Sequence, residues 1–278
     1  MAKLDGVQSR TSARRAGAAT AGSATLSPPV ARRALAEQRD VNRRLQYAIL
    51  PRREPGPAVN GMRIAVRYEG ADHSVDVGGD WYLSEPLPGG GLLLAVGDVV
   101  GHGLAATATM VRLRNAAAGL AVAGHGPGDI LSVLNRLLFQ RDDDAAATAV
   151  VATYEPETRR LTWARAGHVP ILIANRTGVR PLWYPRGAIL GVVPEAEYPQ
   201  ATWTLDVDDV LVMYTDAFVE EPGIGLDDGV RALAEHTHRA LERADLDHLV
   251  DRTAVLTDRL RRRNHRDDAC LLAAEAVG

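Results

Sequence analysis

Aspartates stand at the ends of apolar runs in this chain, where a carboxylate costs free energy unless it is solvated, hydrogen-bonded or bound to a cation. Asp80, Asp98 and Asp216 each end or follow such a run, and Asp267-Asp268 stands just before the last one. Carboxylate oxygens are the ligands that Mg²⁺ and Mn²⁺ prefer in proteins. One such aspartate is typical of a turn or a helix cap. Four sites in one chain weaken that interpretation and favour a cation site, although composition alone does not bring them together in space.

Glycines accompany these acids. Gly78-Gly79 precedes Asp80, and Asp98 lies in the segment Val96-Gly97-Asp98-Val99-Val100-Gly101-His102-Gly103. A residue without a Cβ atom lets main-chain carbonyl groups approach a ligand closely. The spacing therefore predicts loops in which both carboxylate and carbonyl oxygens are available.

The elements that must position these acids are mostly short strands. Strand-like runs lie at 63–69, 91–96, 149–154, 161–164, 171–174, 210–214 and 270–274, with turn residues at 156–158 and 176–178. Helical periodicity is clear at 130–138, at 230–243 and again between 246 and 260. Because the helices follow groups of strands and do not alternate with single strands, the pattern predicts an α+β fold and not a doubly wound parallel sheet.

Composition places the chain among ordinary globular proteins. It has 278 residues, of which 46% are hydrophobic and 24% charged. No apolar run reaches the ~18 residues of a membrane span, and the N-terminus lacks a secretory signal. The single cysteine, Cys270, excludes an internal disulfide and lies in an apolar run, which predicts a core residue. These features together predict a cytoplasmic protein.

The N-terminal part differs from the rest. Residues 1–30 have the composition of a disordered arm, 31–56 predict a linker helix that ends at Pro51, and 57–278 form the main domain. Residues 1–56 carry eleven basic and four acidic groups, but these are scattered and no aromatic residue precedes Tyr47. We therefore predict a solvated arm, with no nucleic-acid or membrane partner. The helix carries an apolar seam that either pairs with a partner helix or packs on its own domain: Ala34, Val41, Leu45 and Ala48.

Five sequence blocks, in order, resemble one known family. The blocks are GGDWY, AVGDVVGHGLAATATM, ARAGHVPILI, VLVMYTDAFVEE and RDDACLL. Over about residues 60–275 the chain resembles the SpoIIE/RsbU-like bacterial branch of the PPM-type metal-dependent serine/threonine phosphatases. The resemblance implies a β-sandwich of two mainly antiparallel sheets flanked by helices on both faces (αββα), with a two-metal centre.

The resemblance also assigns roles to individual residues. It implies four catalytic carboxylates that hold the metals together with one main-chain carbonyl: Asp80, Asp98, Asp216 and Asp267, and the carbonyl of Val99. Asp98 matches the residue that bridges both metals, and Asp268 matches a supporting position. Gly79, Gly101 and Gly103 are expected to shape the loops. His102 and His168 match motif positions whose chemistry the residues do not reveal.

The implied chemistry is hydrolysis of a phosphomonoester. Two divalent cations, Mn²⁺ or Mg²⁺, about 4 Å apart neutralise the phosphate charge and lower the pKa of a bridging water molecule. The resemblance implies a phosphoserine or phosphothreonine substrate in a regulatory protein, a phosphorylated anti-sigma-factor antagonist of the STAS-like kind. It also implies a homodimer, with the helix of residues 31–50 at or near the interface.

Three positions depart from the family pattern. Ala217 stands where glycine is typical, Leu83 where aspartate is common, and Arg165 where asparagine is often found. They leave open a catalytically weak or inactive interaction protein of the same fold. A hydrolase of small phosphoesters is a third hypothesis, which the lack of a nucleotide-binding loop weakens. All the predicted metal ligands are present, which favours an active enzyme.

Overall fold

The computed structural model describes residues 33, 58–70, 78–140, 145–243, 249–261 and 268–278. Within these ranges the chain forms two five-stranded antiparallel sheets and four α-helices. The predicted disordered arm (1–30) lies outside the described residues. So does the predicted linker helix (31–56), except for residue 33.

Ten strands make up the two sheets. The first sheet has the order β1 (Met62–Glu69), β10 (Ala269–Ala276), β9 (Val210–Tyr214), β6 (Ile171–Asn175) and β7 (Gly178–Leu182). The second has the order β2 (Trp81–Pro86), β3 (Leu92–Val99), β4 (Ala147–Glu155), β5 (Arg160–Ala166) and β8 (Ala201–Thr204). Both predicted turns join neighbouring antiparallel strands, β4 to β5 and β6 to β7.

The central strands of the first sheet are buried on both faces. Every residue of β10 is buried, and its side chains alternate between two layers because strand side chains point to opposite faces in turn. Cys270 and Leu272 belong to the core that includes the second sheet, whereas Leu271 and Ala273 belong to the core beneath the helices. The sequences of β9 and β10 are continuous apolar runs because both strands are buried on both faces. Cys270 is a buried free cysteine, as predicted.

Helices cover the outer face of each sheet. Helices α1 (Leu104–Val122) and α2 (Pro127–Phe139) pack on the second sheet, while α3 (Leu226–Glu242) and α4 (Leu249–Arg261) pack on the first. The layers are thus helix, sheet, sheet, helix, which confirms the predicted fold class. No helix in the described ranges is long and apolar enough to cross a membrane.

Candidate metal centre

The predicted ligands Asp98 and Val99 lie at the end of β3. Their strand partners on β4 are Thr148 and Ala147, and the main-chain N–H of Val99 donates to the carbonyl of Gly79 at 3.2 Å. This bond draws the glycine segment before β2 against the end of β3. A Cβ atom on Gly79 would stand 2.3 Å from the carbonyl oxygen of Val99 and 3.0 Å from Oδ1 of Asp98. Glycine therefore leaves open the space beside two predicted ligand oxygens.

Asp80 is buried at the start of β2 and is held by a threonine from the other sheet. The hydroxyl of Thr215 donates to Oδ2 of Asp80 at 2.7 Å and accepts the main-chain N–H of Cys270 at 2.9 Å. Thr215 follows β9 and is fully buried. It thus ties Asp80 to the adjoining ends of β9 and β10, and its donated hydrogen bond stabilises the ionised carboxylate. The sequence analysis missed Thr215, although it directly precedes Asp216.

Four carboxylates converge at this end of the sandwich. The pKa of Asp80 is raised well above its ordinary value by burial, and then by the charges of Asp98, Asp268 and Asp216; the Thr215 hydrogen bond opposes the shift. The four side chains come from segments at the ends of β2, β3, β9 and β10 that are distant in sequence. Like charges gathered in a buried place destabilise one another unless a positive charge compensates them.

Asp216 opens a short 3₁₀ helix, Asp216–Phe218. Its carbonyl accepts the N–H groups of Val219 at 2.8 Å and Glu220 at 2.7 Å, which fixes the turn. Ala217 lies inside this turn, and its φ is not in the left-handed region. The chain therefore holds an alanine here without the backbone strain that a positive φ imposes.

Asp268 lies deeper in the cluster than the sequence indicates. It is buried, and a Cβ atom on Gly78 would stand 1.2 Å from its Oδ2 atom, so its carboxylate fills the space that this glycine leaves. Asp267 lies outside the described residues. The structure thus brings together Asp80, Asp98, Asp216 and Asp268, and the predicted role of Asp267 stays a prediction.

This donor set fits a hard divalent cation. The available atoms are carboxylate oxygens and one main-chain carbonyl, which are the groups that Mg²⁺ and Mn²⁺ bind. Gly79 places no Cβ atom against the carbonyl oxygen of Val99 and Oδ1 of Asp98. Within the described ranges, however, no three His, Cys, Asp or Glu side chains are close enough to hold a metal ion by themselves.

Both loop glycines after Asp98 adopt positive φ, 99° at Gly101 and 81° at Gly103. This conformation favours glycine and turns the chain from β3 into α1. His102 between them is exposed. The glycines shape the loop as predicted.

His168 lies in a different setting, after the end of β5. It is buried, and burial lowers its pKa from 6.5 to about 4, helped by the charge of Arg165 and opposed by a hydrogen bond to the carbonyl of Val169. The remaining departure, Leu83, is fully buried on β2 opposite Ala95. An apolar residue suits that position.

Comparisons with known proteins place these features in a family. The family model for stage II sporulation protein E (SpoIIE) matches residues 88–277. Phosphoserine phosphatase RsbU of Bacillus subtilis is 28% identical over 129 residues, which cover 46% of this chain and 38% of RsbU.

Two solved structures are also similar. The RsbU and RsbW domains of Rv1364c from Mycobacterium tuberculosis superpose with a TM-score of 0.70 at 30% identity, covering 80% of this chain and 61% of that one. RsbX in complex with magnesium gives a TM-score of 0.58 at 16% identity, covering 77% of this chain and 94% of RsbX, and so supports the fold alone. The chain spans well under half the length of RsbU, and three-fifths of the mycobacterial structure.

Proposed function

The chain belongs to the SpoIIE family of PP2C-type phosphatases, and on that premise we propose that it removes phosphate from phosphoserine or phosphothreonine in a regulatory protein. The observation that carries the proposal is the convergence of Asp80, Asp98, Asp216 and Asp268 at one end of the sandwich. Four carboxylates gathered at one place, of which Asp80 and Asp268 are buried, suit an enzyme that depends on divalent metals.

The residues of the chain have separate tasks in this proposal. Asp98 and the Val99 carbonyl would hold the cations, with Asp80, Asp216 and Asp267 completing the set. Thr215 orients Asp80 through its 2.7 Å hydrogen bond and partly opposes the burial and like charges that raise the pKa of this carboxyl. Two bound cations, Mn²⁺ or Mg²⁺, would supply charge neutralisation for the phosphate and a lowered pKa for a water molecule.

We propose as substrate a phosphorylated anti-sigma-factor antagonist, a small STAS-like protein. The support is similarity: RsbU is named a phosphoserine phosphatase, and the mycobacterial structure joins an RsbU domain to an RsbW domain. The phosphate of such a protein must reach carboxylates at the strand ends. The exposed apolar residues Val100 and Leu104, which follow Asp98 in the chain, offer a surface for a protein substrate there.

The alternative of an inactive protein with this fold rested on the residues that depart from the family pattern. Ala217 lies in an unstrained 3₁₀ turn and Leu83 is buried in the core, so neither residue disturbs the acidic cluster. Neither Ala217 nor Leu83 therefore favours the inactive alternative.

The decisive experiment is a turnover assay. Purified protein with Mn²⁺ or Mg²⁺ should hydrolyse a generic aryl phosphomonoester slowly, and a phosphorylated anti-sigma-factor antagonist much faster. Chelation of the metal should stop both reactions. If neither substrate turns over at any metal concentration, the interaction-protein alternative is correct. If only the small ester turns over, the chain is a small-molecule hydrolase.

We also propose a homodimer that uses the segment of residues 31–50. Its sequence carries the apolar seam of Ala34, Val41, Leu45 and Ala48. Val41→Glu combined with Leu45→Glu places charge in this seam and should shift the protein towards monomer while lowering activity. Light scattering and turnover on the same sample test this, and an unchanged mass would remove the segment from the interface.

A further inference from the structure

A second cavity, of about 340 Å³, opens beside the end of β5 and combines basic side chains with an unsatisfied histidine. Its walls come from three regions of the chain. Arg165 lies within β5 and His168 just after it, Trp183 and Arg186 lie in the loop after β7, and Leu226 and Asp227 begin α3. None of these residues has a role in the acidic cluster. Arg165 is also the departure from the family pattern that the metal centre leaves unexplained.

Arg165 is a buried cation that, within the described residues, bonds to main-chain carbonyl groups and not to a carboxylate. Its Nε donates to the carbonyl of Pro185 at 3.2 Å, and its Nη2 donates to the carbonyl of Trp183. Burial lowers the pKa of Arg165, and the nearby charge of Arg186 lowers it further. Within the described part of the chain, neither guanidinium pairs with a carboxylate. Two neighbouring positive charges of this kind create a potential that favours an anion.

His168 adds an acceptor to the same cavity. Its Nδ1 lies 3.1 Å from the carbonyl of Val169; because a carbonyl only accepts, Nδ1 carries the proton in the neutral ring. The Nε2 atom then holds a lone pair, and it is buried with no hydrogen-bond partner among the described residues. A buried polar atom without a partner is costly and points to a ligand that donates to it.

The only acid among the lining residues, Asp227, does not neutralise the cavity. It is exposed and lies in the first turn of α3, where unpaired main-chain N–H groups favour a negative charge. Because Asp228 occupies the same turn, the positive charge of the cavity comes from Arg165 and Arg186 and not from the helix start. The cavity as a whole offers cationic donors on one side and one acceptor, Nε2, on the other.

The cavity lies one strand away from Asp98 of the acidic cluster, because Gly167 in its wall bridges Ala149 of β4 and the adjacent Thr148 pairs with Asp98 on β3. Arg165 acts electrostatically on Tyr214, the last residue of β9, whose buried hydroxyl has no partner among the described residues. Two residues further along the chain stands Asp216. A polypeptide substrate whose phosphoserine reaches the acidic cluster can therefore extend into the basic cavity.

We propose that this cavity is a specificity site for an acidic residue of the phosphoprotein substrate, a role that rests on the proposed function. The carboxylate of that residue contacts Arg165 and Arg186, and a main-chain N–H of the same segment donates to Nε2 of His168. A peptide segment with an acidic side chain supplies both kinds of group at once. A fully deprotonated phosphate supplies only acceptors and leaves Nε2 unpaired.

Phosphoserine peptides that differ only in one Asp or Ala, moved position by position along the sequence, provide the test. The wild-type protein with Mn²⁺ should show a kcat/KM preference for Asp at one position. Arg186→Gln should reduce that preference by up to about fivefold, the range for an exposed ion pair. Arg165→Gln should reduce it about tenfold or more, because a buried charge pair is stronger.

Arg180→Gln is the matched control. Arg180 and Arg186 are both exposed and stack on an aromatic ring, at 5.3 Å from the Trp203 centroid and 5.2 Å from the Tyr184 centroid, but only Arg186 lines the cavity. Arg180→Gln should leave the Asp preference at its wild-type value. Because Arg165 also fastens the loop after β7 and its variant can fail to fold, Arg186→Gln alone is sufficient to decide.

Two results would overturn the proposal. In the first, the wild-type protein shows no kcat/KM preference for Asp at any position. In the second, Arg186→Gln lowers kcat/KM equally for the Asp and Ala peptides, which would assign the cavity to the reacting phosphate itself. Fluorescence anisotropy of labelled, unphosphorylated Asp and Ala peptides separates this proposal from the phosphatase proposal. If the wild-type protein turns over no peptide but binds the Asp peptide more tightly, and Arg186→Gln removes the difference, the phosphatase proposal fails and the specificity site stands. Equal binding of both peptides by the wild-type protein would contradict the proposed specificity site.

Discussion

The acidic cluster and the basic cavity are neighbouring sites of opposite charge, and in both of them burial disfavours the charged form of a titratable side chain. Burial raises the pKa of Asp80 and lowers the pKa of His168, so in both places the environment opposes the charged form. In both places like charges make this worse: three carboxylates act on Asp80, and two arginines lie beside His168.

The difference lies in how each site is supported. Asp80 has a hydrogen-bond donor, Thr215, that stabilises its ionised form, whereas Nε2 of His168 has no partner among the described residues. A site in which several carboxylates oppose one another's charge is stabilised by a bound cation. The basic cavity combines two arginines that have no carboxylate partner among the described residues with the neutral acceptor Nε2. It therefore suits a peptide segment that supplies both a carboxylate and a hydrogen-bond donor. The two sites can therefore divide one substrate, with the phosphate at the first and a neighbouring acidic residue at the second.

The largest expected effect comes from removing the central acid. Asp98→Asn keeps the shape of the side chain but removes the charge beside Val99 and Gly79. We expect Mn²⁺-dependent turnover to fall at least a hundredfold, the magnitude of losing a principal electrostatic element. Asp129→Asn, which removes an exposed acid in the first turn of α2, is the control and should retain wild-type turnover.

Metal-dependent stability checks the same variant without catalysis. Mn²⁺ at a hundred times its Kd should stabilise the wild-type protein by about 2.7 kcal/mol and raise its Tm. The rise should be much smaller in Asp98→Asn. Full turnover of Asp98→Asn in metal-free buffer contradicts the metal-centre assignment, and so does a wild-type Tm that ignores Mn²⁺.

The second largest expected effect is a pH-dependent contribution of His168, in the basic cavity, to stability. His168 has a pKa of about 4 in the folded protein, below its unfolded value of 6.5. Between these values the unfolded chain binds a proton that the native ring does not, so stability is lost as pH falls from about 6.5 towards 4. The full contribution is about 3 kcal/mol.

His168→Gln tests this contribution because it keeps a polar side chain but cannot titrate. Urea unfolding at several pH values should give a shallower loss of stability between pH 6.5 and 4 than in the wild-type protein. Both proteins lose stability through their carboxylates, so the difference between the two curves is the informative quantity. Parallel curves would show that His168 is not buried as a neutral ring.

The sequence predicted the layers of the fold because strands and amphipathic helices have distinct periods. The run 210–214 and the periodic residues of 130–138 both lie in the predicted element types, in β9 and α2. Helix α1 was not predicted, because its sequence is rich in Ala and small residues and has little apolar periodicity. Its helical start depends on two glycines with positive φ, which become apparent only in three dimensions.

The short strands β2, β7 and β8 were also missed. Tyr82–Ser84 are all buried in β2, so they show no alternation of polar and apolar residues. Strand β8 is an edge strand with only four residues, Ala201–Thr204. In both cases pairing with a neighbour, and not local preference, decides the structure.

Part of the site was accessible to sequence reasoning. The acids at strand ends pointed to Asp80, Asp98 and Asp216, which do converge. The close approach of Asp268 to Gly78 was not predictable, because it depends on how the end of one sheet meets the start of the other. The partnership of Arg165 with two loop carbonyls likewise joins residues eighteen and twenty positions apart.

A smaller effect should follow from filling the space at the acidic centre. Gly79→Ala places a Cβ atom 2.3 Å from the main-chain oxygen of Val99, which cannot move without distorting β3. We expect a destabilisation of about 1–3 kcal/mol, as for other overpacked sites, with reduced affinity for Mn²⁺.

Gly119→Ala is the matched control for this substitution. Gly119 lies within α1, and no atom lies within 4 Å of the added Cβ. The substitution should therefore stabilise the protein by up to about 1 kcal/mol. Urea unfolding and Mn²⁺ titration of both variants provide the comparison. Equal stability of the two variants would mean that the space beside Gly79 is not confined.

The smallest effect concerns the 3₁₀ turn Asp216–Phe218, which follows β9 and contains Ala217. If Ala217 were a damaged version of a glycine turn, Ala217→Gly should raise both stability and turnover. The 3₁₀ geometry, with φ outside the left-handed region, predicts the reverse. Glycine gains more freedom in the unfolded chain, so Ala217→Gly should lower the free energy of unfolding by about 0.4–1 kcal/mol. Turnover should not increase, because the carbonyl of Asp216 already accepts two hydrogen bonds that fix the turn. Urea unfolding and kcat measured on one preparation would decide, and a faster, more stable variant would mean that the alanine does hold back the enzyme.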